Sequence, residues 1–270
     1  MQTTANLWEA LCRDLESERQ SAKAEQYHEI ATRFLQSARQ ILRAGSPRLC
    51  DAIEIAGDVS QAAGRYADAV ANFQEALEKS LALGVPASSA RLAAKLAFLH
   101  DHLRDPDKAR AYFEQSLSLY EQGQDHSQHA MLLNQLGALC KREGDFPAAE
   151  AYYQRAMEVA RNLHGETHPE VATAVNNLGV VSMELHDFVR AENLHMEALA
   201  LREKCYGAMH PEVAQSMANL AAVYHAAHEF DKARAFYSGA LKIYKRFRRA
   251  DDPEMQTVQE NYDNLLRRVE

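Results

Sequence analysis

Residues 144–156 read Gly-Asp-Phe-Pro-Ala-Ala-Glu-Ala-Tyr-Tyr-Gln-Arg-Ala, and variants of this stretch return at residues 186–198 and 228–240, 42 residues apart each time. Two less regular copies precede it. The alanine in the sixth place marks the copies: Ala69, Ala109, Ala149, Ala191 and Ala233. Recurrence every 40 to 42 residues predicts a solenoid, in which each repeated unit packs only against its neighbours.

Small and aromatic residues recur at fixed distances from this alanine. A small residue stands 12 positions before it and another 7 positions after it, so that two helix backbones can approach closely. An aromatic side chain four positions after the alanine lies one helical turn further along the same face and fills the groove beside them. The residues at this ring position are Phe73, Phe113, Tyr153, His195 and Tyr237. The pattern predicts a pair of packed helices in every copy.

The composition agrees with a helical protein and excludes several classes of function. Glycine and proline, at 11 and 7 of 270 residues, fall well below the roughly 12% of average usage, whereas all-β folds need many of both in their turns. The net charge of −8 would repel a phosphate backbone, so we expect no nucleic-acid partner. No apolar stretch approaches the roughly 20 residues of a membrane span, so we expect no membrane insertion.

The cysteines and the start of the chain predict a cytoplasmic protein. Cys12, Cys50, Cys140 and Cys205 are at least 38 residues apart, with neither a CxxC pair nor the spacing of a metal finger. We therefore expect reduced thiols. The first 20 residues contain charged side chains where a secretory signal needs an apolar core.

The predicted helix ends carry the residues that terminate and start helices. Asp105, Asp145 and Asp187 stand where the second helix of a pair needs an N-cap. Residues 165–172 and 207–214 read Gly-Glu-Thr-His-Pro-Glu-Val-Ala and Gly-Ala-Met-His-Pro-Glu-Val-Ala. The glycine ends one helix, the proline starts the next, and we interpret His168 and His210 as local caps.

These small and aromatic positions resemble the tetratricopeptide repeat, and the Gly-x-x-His-Pro linkers are similar to those of kinesin light chains and their bacterial relatives. HEAT and armadillo repeats, with periods of roughly 40 to 47 residues, are the structural alternative. The resemblance implies an all-α fold, a right-handed superhelical solenoid of antiparallel helix pairs. Residues 1–45 then form a degenerate N-terminal hairpin, residues 46–250 five repeats, and residues 251–270 a capping helix. The five repeats are predicted at about 47–85, 86–125, 126–166, 167–208 and 209–248.

One column of first-helix positions is the best candidate for a binding site. Its residues are Lys95, Gln135, Asn177, Asn219 and Asn261, and the preceding column adds Asn134 and Asn176. Asparagine is a poor residue for a helix interior because its side chain competes for backbone hydrogen bonds. The resemblance to kinesin light chains implies that these amides bind the main chain of an extended peptide in the concave groove. Alternatively, they bridge neighbouring helices or simply face water.

Charged residues beside this column suggest what kind of peptide would bind. Arg91, Lys95, Lys141 and Arg142 make the middle of the predicted groove basic, and Asp51, Glu54 and Asp58 make its N-terminal part acidic. We therefore expect a protein or peptide partner with acidic residues at its centre. The alternative is that these are ordinary solvated charges.

The sequence predicts a protein-protein interaction scaffold without chemistry of its own. It contains no GxGxxG, GxxxxGK, HExxH or GxSxG motif. The close histidine pairs, such as His225 with His228, lack a third and fourth ligand, so neither a metal nor a cofactor is expected. Two alternative functions are a peptide-pheromone or small-ligand sensor that uses the same groove, and a structural assembly or oligomerisation module. We expect a monomer.

Overall fold

The computed structural model describes residues 9–10, 12–13, 26–123, 126, 128–248 and 251–269. In these residues it contains twelve α-helices and no strand, which confirms the all-α prediction. The chain forms two compact units, Met1–His126 and Ser127–Glu270. None of the helices in the described part is long and apolar enough to cross a membrane.

The first unit contains five of the helices, and each packs against the next along the chain. They are α1 (Tyr27–Ile41), α2 (Pro47–Ala62), α3 (Tyr66–Ala82), α4 (Pro86–His102) and α5 (Pro106–Gln122). Pairs α2–α3 and α4–α5 are the first two helix pairs. Helix α1 precedes them and buries Ile30 and Phe34, as the offsets of a second helix predict. Most of the predicted first helix of the N-terminal hairpin, and the side chain of Tyr27, lie outside the described residues.

The second unit contains the other seven helices, again packed in order along the chain. They are α6 (His129–Arg142), α7 (Phe146–His164), α8 (Pro169–Glu184), α9 (Phe188–Tyr206), α10 (Pro211–Ala226), α11 (Phe230–Phe247) and α12 (Pro253–Val269). Helix α12 is the last helix of the described residues. It packs Val258 and Leu265 into the core cluster that α10 and α11 form, which covers the end of that cluster.

The two helices of a pair approach most closely where the sequence has its small residues. A Cβ atom added to Gly57 would lie 2.5 Å from the ring of Phe73, and one added to Gly137 would lie 2.7 Å from the ring of Tyr153. A Cβ atom added to Gly179 would likewise lie 2.7 Å from His195. Real Cβ contacts are longer than this, so the rings occupy the space that the missing side chain leaves. The predicted pairing of small residue and ring is confirmed.

Side chains satisfy the free backbone groups at the helix ends. The carboxylates of Asp105, Asp145 and Asp187 accept hydrogen bonds from backbone N–H groups in the first turns of α5, α7 and α9. Gly165 and Gly207 end α7 and α9 with φ angles of 84° and 83°, a left-handed conformation that favours glycine. The expected caps are therefore confirmed at these ends.

The turn inside each pair is also left-handed, which the sequence did not reveal. Gly64 and Gly144 have positive φ angles there, but Arg104, His186 and His228 take the same place with φ angles of 60° to 62°. Because the N–H groups of these three residues are bonded to the helix before them, the turn keeps its conformation without glycine.

Candidate peptide-binding surfaces

In the second unit the first helices of successive pairs lie side by side, with α6 contacting α8 and α8 contacting α10. This places the asparagines of the two columns on one surface. We call it the amide face, formed by Asn134, Gln135, Asn176, Asn177 and Asn219. Asn177 and Asn219 are half-buried and reach solvent, whereas Asn134 and Asn176 lie beneath them with 8% and 5% of their surface exposed.

Each outer asparagine of the amide face is bonded to the buried asparagine of the preceding pair. Asn177 Nδ2 donates to Asn134 Oδ1 over 3.3 Å, and Asn219 Nδ2 donates to Asn176 Oδ1 over 2.8 Å. Asn134 Nδ2 in turn donates to the carbonyl of Ala130, one turn earlier in α6. The bridging of neighbouring helices, one of the two interpretations of these amides, is therefore present. It offsets the cost of asparagine inside a helix.

The outer amides keep hydrogen-bonding capacity after this bridge is made. An asparagine amide has two N–H donors and an oxygen acceptor. Asn177 and Asn219 each use one donor, and within the described residues neither oxygen accepts a hydrogen bond. A peptide main chain also offers one donor and one acceptor per residue, so each outer amide can bind it at two points.

The two asparagine bridges do not involve the other residues predicted in the second unit. Gln135 is half-buried on α6 and Asn261 is exposed on α12. Lys141 and Arg142 lie in the last turn of α6, where the helix dipole favours cations.

In the first unit four of the predicted charged residues, Arg91, Lys95, Glu54 and Asp58, form one ion-pair cluster. Arg91 binds Glu54 through two bonds of 3.0 and 2.8 Å. Lys95 lies 2.8 Å from Glu54 and 2.6 Å from Asp58. The cationic and anionic residues thus neutralise one another here, and they do not form separate regions.

Glu54 is the centre of this cluster because its side chain is only 11% exposed. Burial by itself raises the pKa of Glu54, but hydrogen bonds from Arg91 and Lys95 outweigh it and hold the pKa below its usual value. Asp51 behaves differently. Burial and the neighbouring charge of Glu54 raise the pKa of Asp51.

His168, His210 and His195 have the structural positions expected from the sequence, with one addition. His168 and His210 cap α8 and α10 through Nδ1, which accepts from the N–H of Glu170 and Glu212. His195 is buried at the ring position, and burial followed by the nearby charge of Arg202 lowers its pKa to about 4. The addition is that His164, His168 and Glu170 bring three ligand-type atoms within 4.8 Å of one another. The sequence analysis did not single out this group, although His164 and His168 are only four residues apart, because a helix end, a cap and a first-turn carboxylate come together only in the folded linker.

The model of the tetratricopeptide repeat matches residues 50–122, 128–204 and 170–246. The chain belongs to the tetratricopeptide-repeat family. Among solved structures, BtubC (BKLC) from P. vanneervenii is 30% identical with a TM-score of 0.68, and the match covers 90% of this chain and 97% of that one. The predicted resemblance is confirmed, and the HEAT and armadillo alternative is excluded.

More distant tetratricopeptide-repeat structures share the fold. A putative kinesin light chain from Podospora anserina with nearly identical repeats is 14% identical with a TM-score of 0.62, and the match covers 76% of this chain and 99% of that one. The apo form of RapI is 14% identical with a TM-score of 0.66, over 73% of this chain and 70% of that one. Comparison with curated proteins found no match.

Proposed function

We propose that this protein is a non-enzymatic scaffold that binds an extended peptide or partner segment through the amide face of its second unit. Tetratricopeptide repeats generally serve as protein-interaction modules, and this supports the class of function. The single observation that carries the proposal is the donor and acceptor on each of Asn177 and Asn219 that no described residue binds, while their other N–H groups are held by the buried asparagines below.

The buried asparagines have a supporting part in this proposal. A free asparagine side chain on a helix rotates, and fixing it on binding costs conformational entropy. Asn134 and Asn176 hold the outer amides in place before the peptide arrives, so less of that cost falls on binding. Direct contact of a peptide with Asn134 or Asn176 stays a prediction, as does contact with Gln135, Lys141, Arg142, Arg91, Lys95 and Asn261.

Main-chain recognition of this kind gives affinity without a strong preference for sequence. Selectivity would come from side chains beside the amides. On α6, Lys141 and Arg142 favour acidic residues in the peptide. In the first unit Arg91 and Lys95 are already paired with carboxylates, so an acidic peptide would have to compete with Glu54 and Asp58 there. The cytoplasmic location and the monomeric state are parts of the same proposal.

The test is a selection of peptides from a random 12-residue library displayed on phage, followed by affinity measurements on purified protein. We expect the double variant Asn177→Ala with Asn219→Ala to bind a selected peptide more than tenfold more weakly and to keep its helical circular dichroism.

The matched control replaces Asn162 and Asn193, which are exposed on the second helices α7 and α9, with alanine. This control should bind as the wild type does. Equal affinity of the amide-face variant and the wild type would exclude the amide face as the binding site.

A further inference from the structure

The three linkers of the second unit that join one helix pair to the next helix have equivalent residues 42 positions apart. Each linker contains a triplet of such positions. The first is at the end of the preceding helix, the second is the N-cap of the following helix, and the third is the acidic residue in the first turn of that following helix. These triplets are His164, His168 and Glu170; Tyr206, His210 and Glu212; and Arg248, Asp252 and Glu254.

In the second and third linkers an arginine binds the acidic residue. The guanidinium of Arg202 lies 3.0 Å from Glu212, and that of Arg248 lies 3.2 Å from Glu254. Arg202 is only 3% exposed and also donates to the Glu212 carbonyl and the Ser216 hydroxyl. Both linkers therefore place a permanent positive charge on the carboxylate.

In the first linker the nearby Arg161 pairs with Glu166 and Glu197, and among the described residues no arginine pairs with Glu170. Ala160 stands at the position equivalent to Arg202, and His164 stands at the position equivalent to Arg248. The Oε2 atom of Glu170 is buried and, within the described residues, makes no hydrogen bond. His164 Nε2 lies 3.4 Å from this oxygen, and the His164 ring stacks on the ring of His168 at 4.1 Å.

We propose that His164, His168 and Glu170 bind a divalent transition-metal ion of the zinc class at this linker. The ion supplies the positive charge that arginine supplies in the other two linkers. Two imidazoles and one carboxylate are a donor set typical of zinc, and water completes the coordination. The site is independent of the amide face and of the proposed function.

Two features of the linker oppose binding and set its strength. A neutral imidazole has one nitrogen lone pair, so His168 must give up its bond to the Glu170 N–H when it coordinates the ion. That bond is long, at 3.3 Å. Zinc ligands at about 2.0 to 2.2 Å from the ion lie roughly 3.3 Å apart, so the three side chains must draw together from their present separation of up to 4.8 Å. His164, which lies at the helix end and is about one-third exposed, can make most of this movement.

The test is a titration of the untagged full chain with zinc sulfate, followed by isothermal calorimetry. The central variant is His168→Asn, because asparagine is a good N-cap and preserves the start of α8 while it removes a ligand. Loss of a group that only hydrogen-bonds to a metal ligand typically weakens metal binding 10- to 100-fold, so loss of a ligand itself should weaken the tightest zinc site more than tenfold. Glu170→Gln should have the same effect.

The matched control is His210→Asn, the same change at the equivalent cap of the second linker, where Tyr206 and the Arg202 pair leave no ligand set. This variant should bind zinc as tightly as the wild type. Added zinc should raise the melting temperature of the wild type and of His210→Asn, but not that of His168→Asn. Equal zinc affinity in both asparagine variants, or no zinc uptake by the wild type, would overturn the proposal.

Discussion

The same interhelix contact is made by charges in the first unit and by neutral amides in the second. Lys95 of α4 reaches Glu54 of α2, and at the equivalent register Asn177 of α8 reaches Asn134 of α6. In each case the outer residue of one repeat holds the inner residue of the repeat before it. Both solutions satisfy a buried polar group.

The two solutions differ in what they leave for a partner. The ion pairs cancel charge and leave only N–H donors on Arg91, which uses two of its five on Glu54, whereas an amide pair leaves both a donor and an acceptor on its outer member. A residue that bridges two helices can therefore also bind a partner. What distinguishes the two regions is the hydrogen-bonding capacity that remains after the bridge is formed.

Lowering the pH should cause the largest change in the free energy of unfolding, and it should act through His195 of the second unit. The folded-state pKa of His195 is about 4, below its ordinary value of 6.5, so the unfolded chain takes up a proton first as the pH falls. The contribution of His195 is therefore complete above pH 6.5 and is lost toward pH 4, by about 3 kcal/mol at 1.36 kcal/mol per pKa unit. Urea unfolding at pH 7 and pH 4 measures this loss.

His195→Tyr is the control for this loss because Tyr153 and Tyr237 fill the same position in neighbouring repeats. The variant should not show the 3 kcal/mol decrease. In the first unit the pKa of Glu54 is lowered, so the contribution of its ion pairs is present above its ordinary value of 4.5 and is lost only as the pH falls through the lower folded value. An unchanged acid response of His195→Tyr would contradict the assignment.

Removal of the cations should have the next largest effect. The double variant Arg91→Ala with Lys95→Ala leaves Glu54, whose side chain is 11% exposed, without its partners. Removing one partner of a fully buried pair costs about 3 to 5 kcal/mol. Because Arg91 and Lys95 are partly exposed and water can reach the site, we expect about 2 kcal/mol in urea unfolding. Adding Glu54→Leu to the double variant should restore part of the loss, and no restoration would show that the charge is not the cause.

Breaking an amide bridge should cost least. Asn176→Ala removes the acceptor of Asn219, and a single neutral hydrogen bond contributes about 1 kcal/mol. The variant should also weaken a selected peptide, because Asn219 loses its support. Asn193→Ala, exposed on α9, should change neither quantity. A loss of stability without any loss of peptide affinity would limit Asn176 to a purely structural part.

The sequence predicted the features that depend on local spacing. Helix geometry predicts the contact between Gly179 and His195, and capping preferences predict the caps at Asp145 and His168. The structure confirms all three. The left-handed turn at Arg104 did not follow, because its conformation is held by backbone bonds and not by glycine.

The contacts between repeats were harder to predict. Lys95 was expected to give the groove a positive charge, but whether it points to solvent or to Glu54 depends on side-chain conformations in two helices more than 35 residues apart. The group of His164, His168 and Glu170 is local in sequence, but it depends on the path of the linker, which brings a helix end and a cap together.

The most direct test of the account is a double-mutant cycle between Asn219→Ala and the backbone of a bound peptide. Each peptide N–H is replaced in turn by an ester oxygen, and the affinities of wild type and variant are measured for every peptide. We expect that at one or more positions the two changes are not additive, with a coupling of about tenfold, or 1.4 kcal/mol. Additive effects at every position of the peptide would contradict main-chain binding by the amide face.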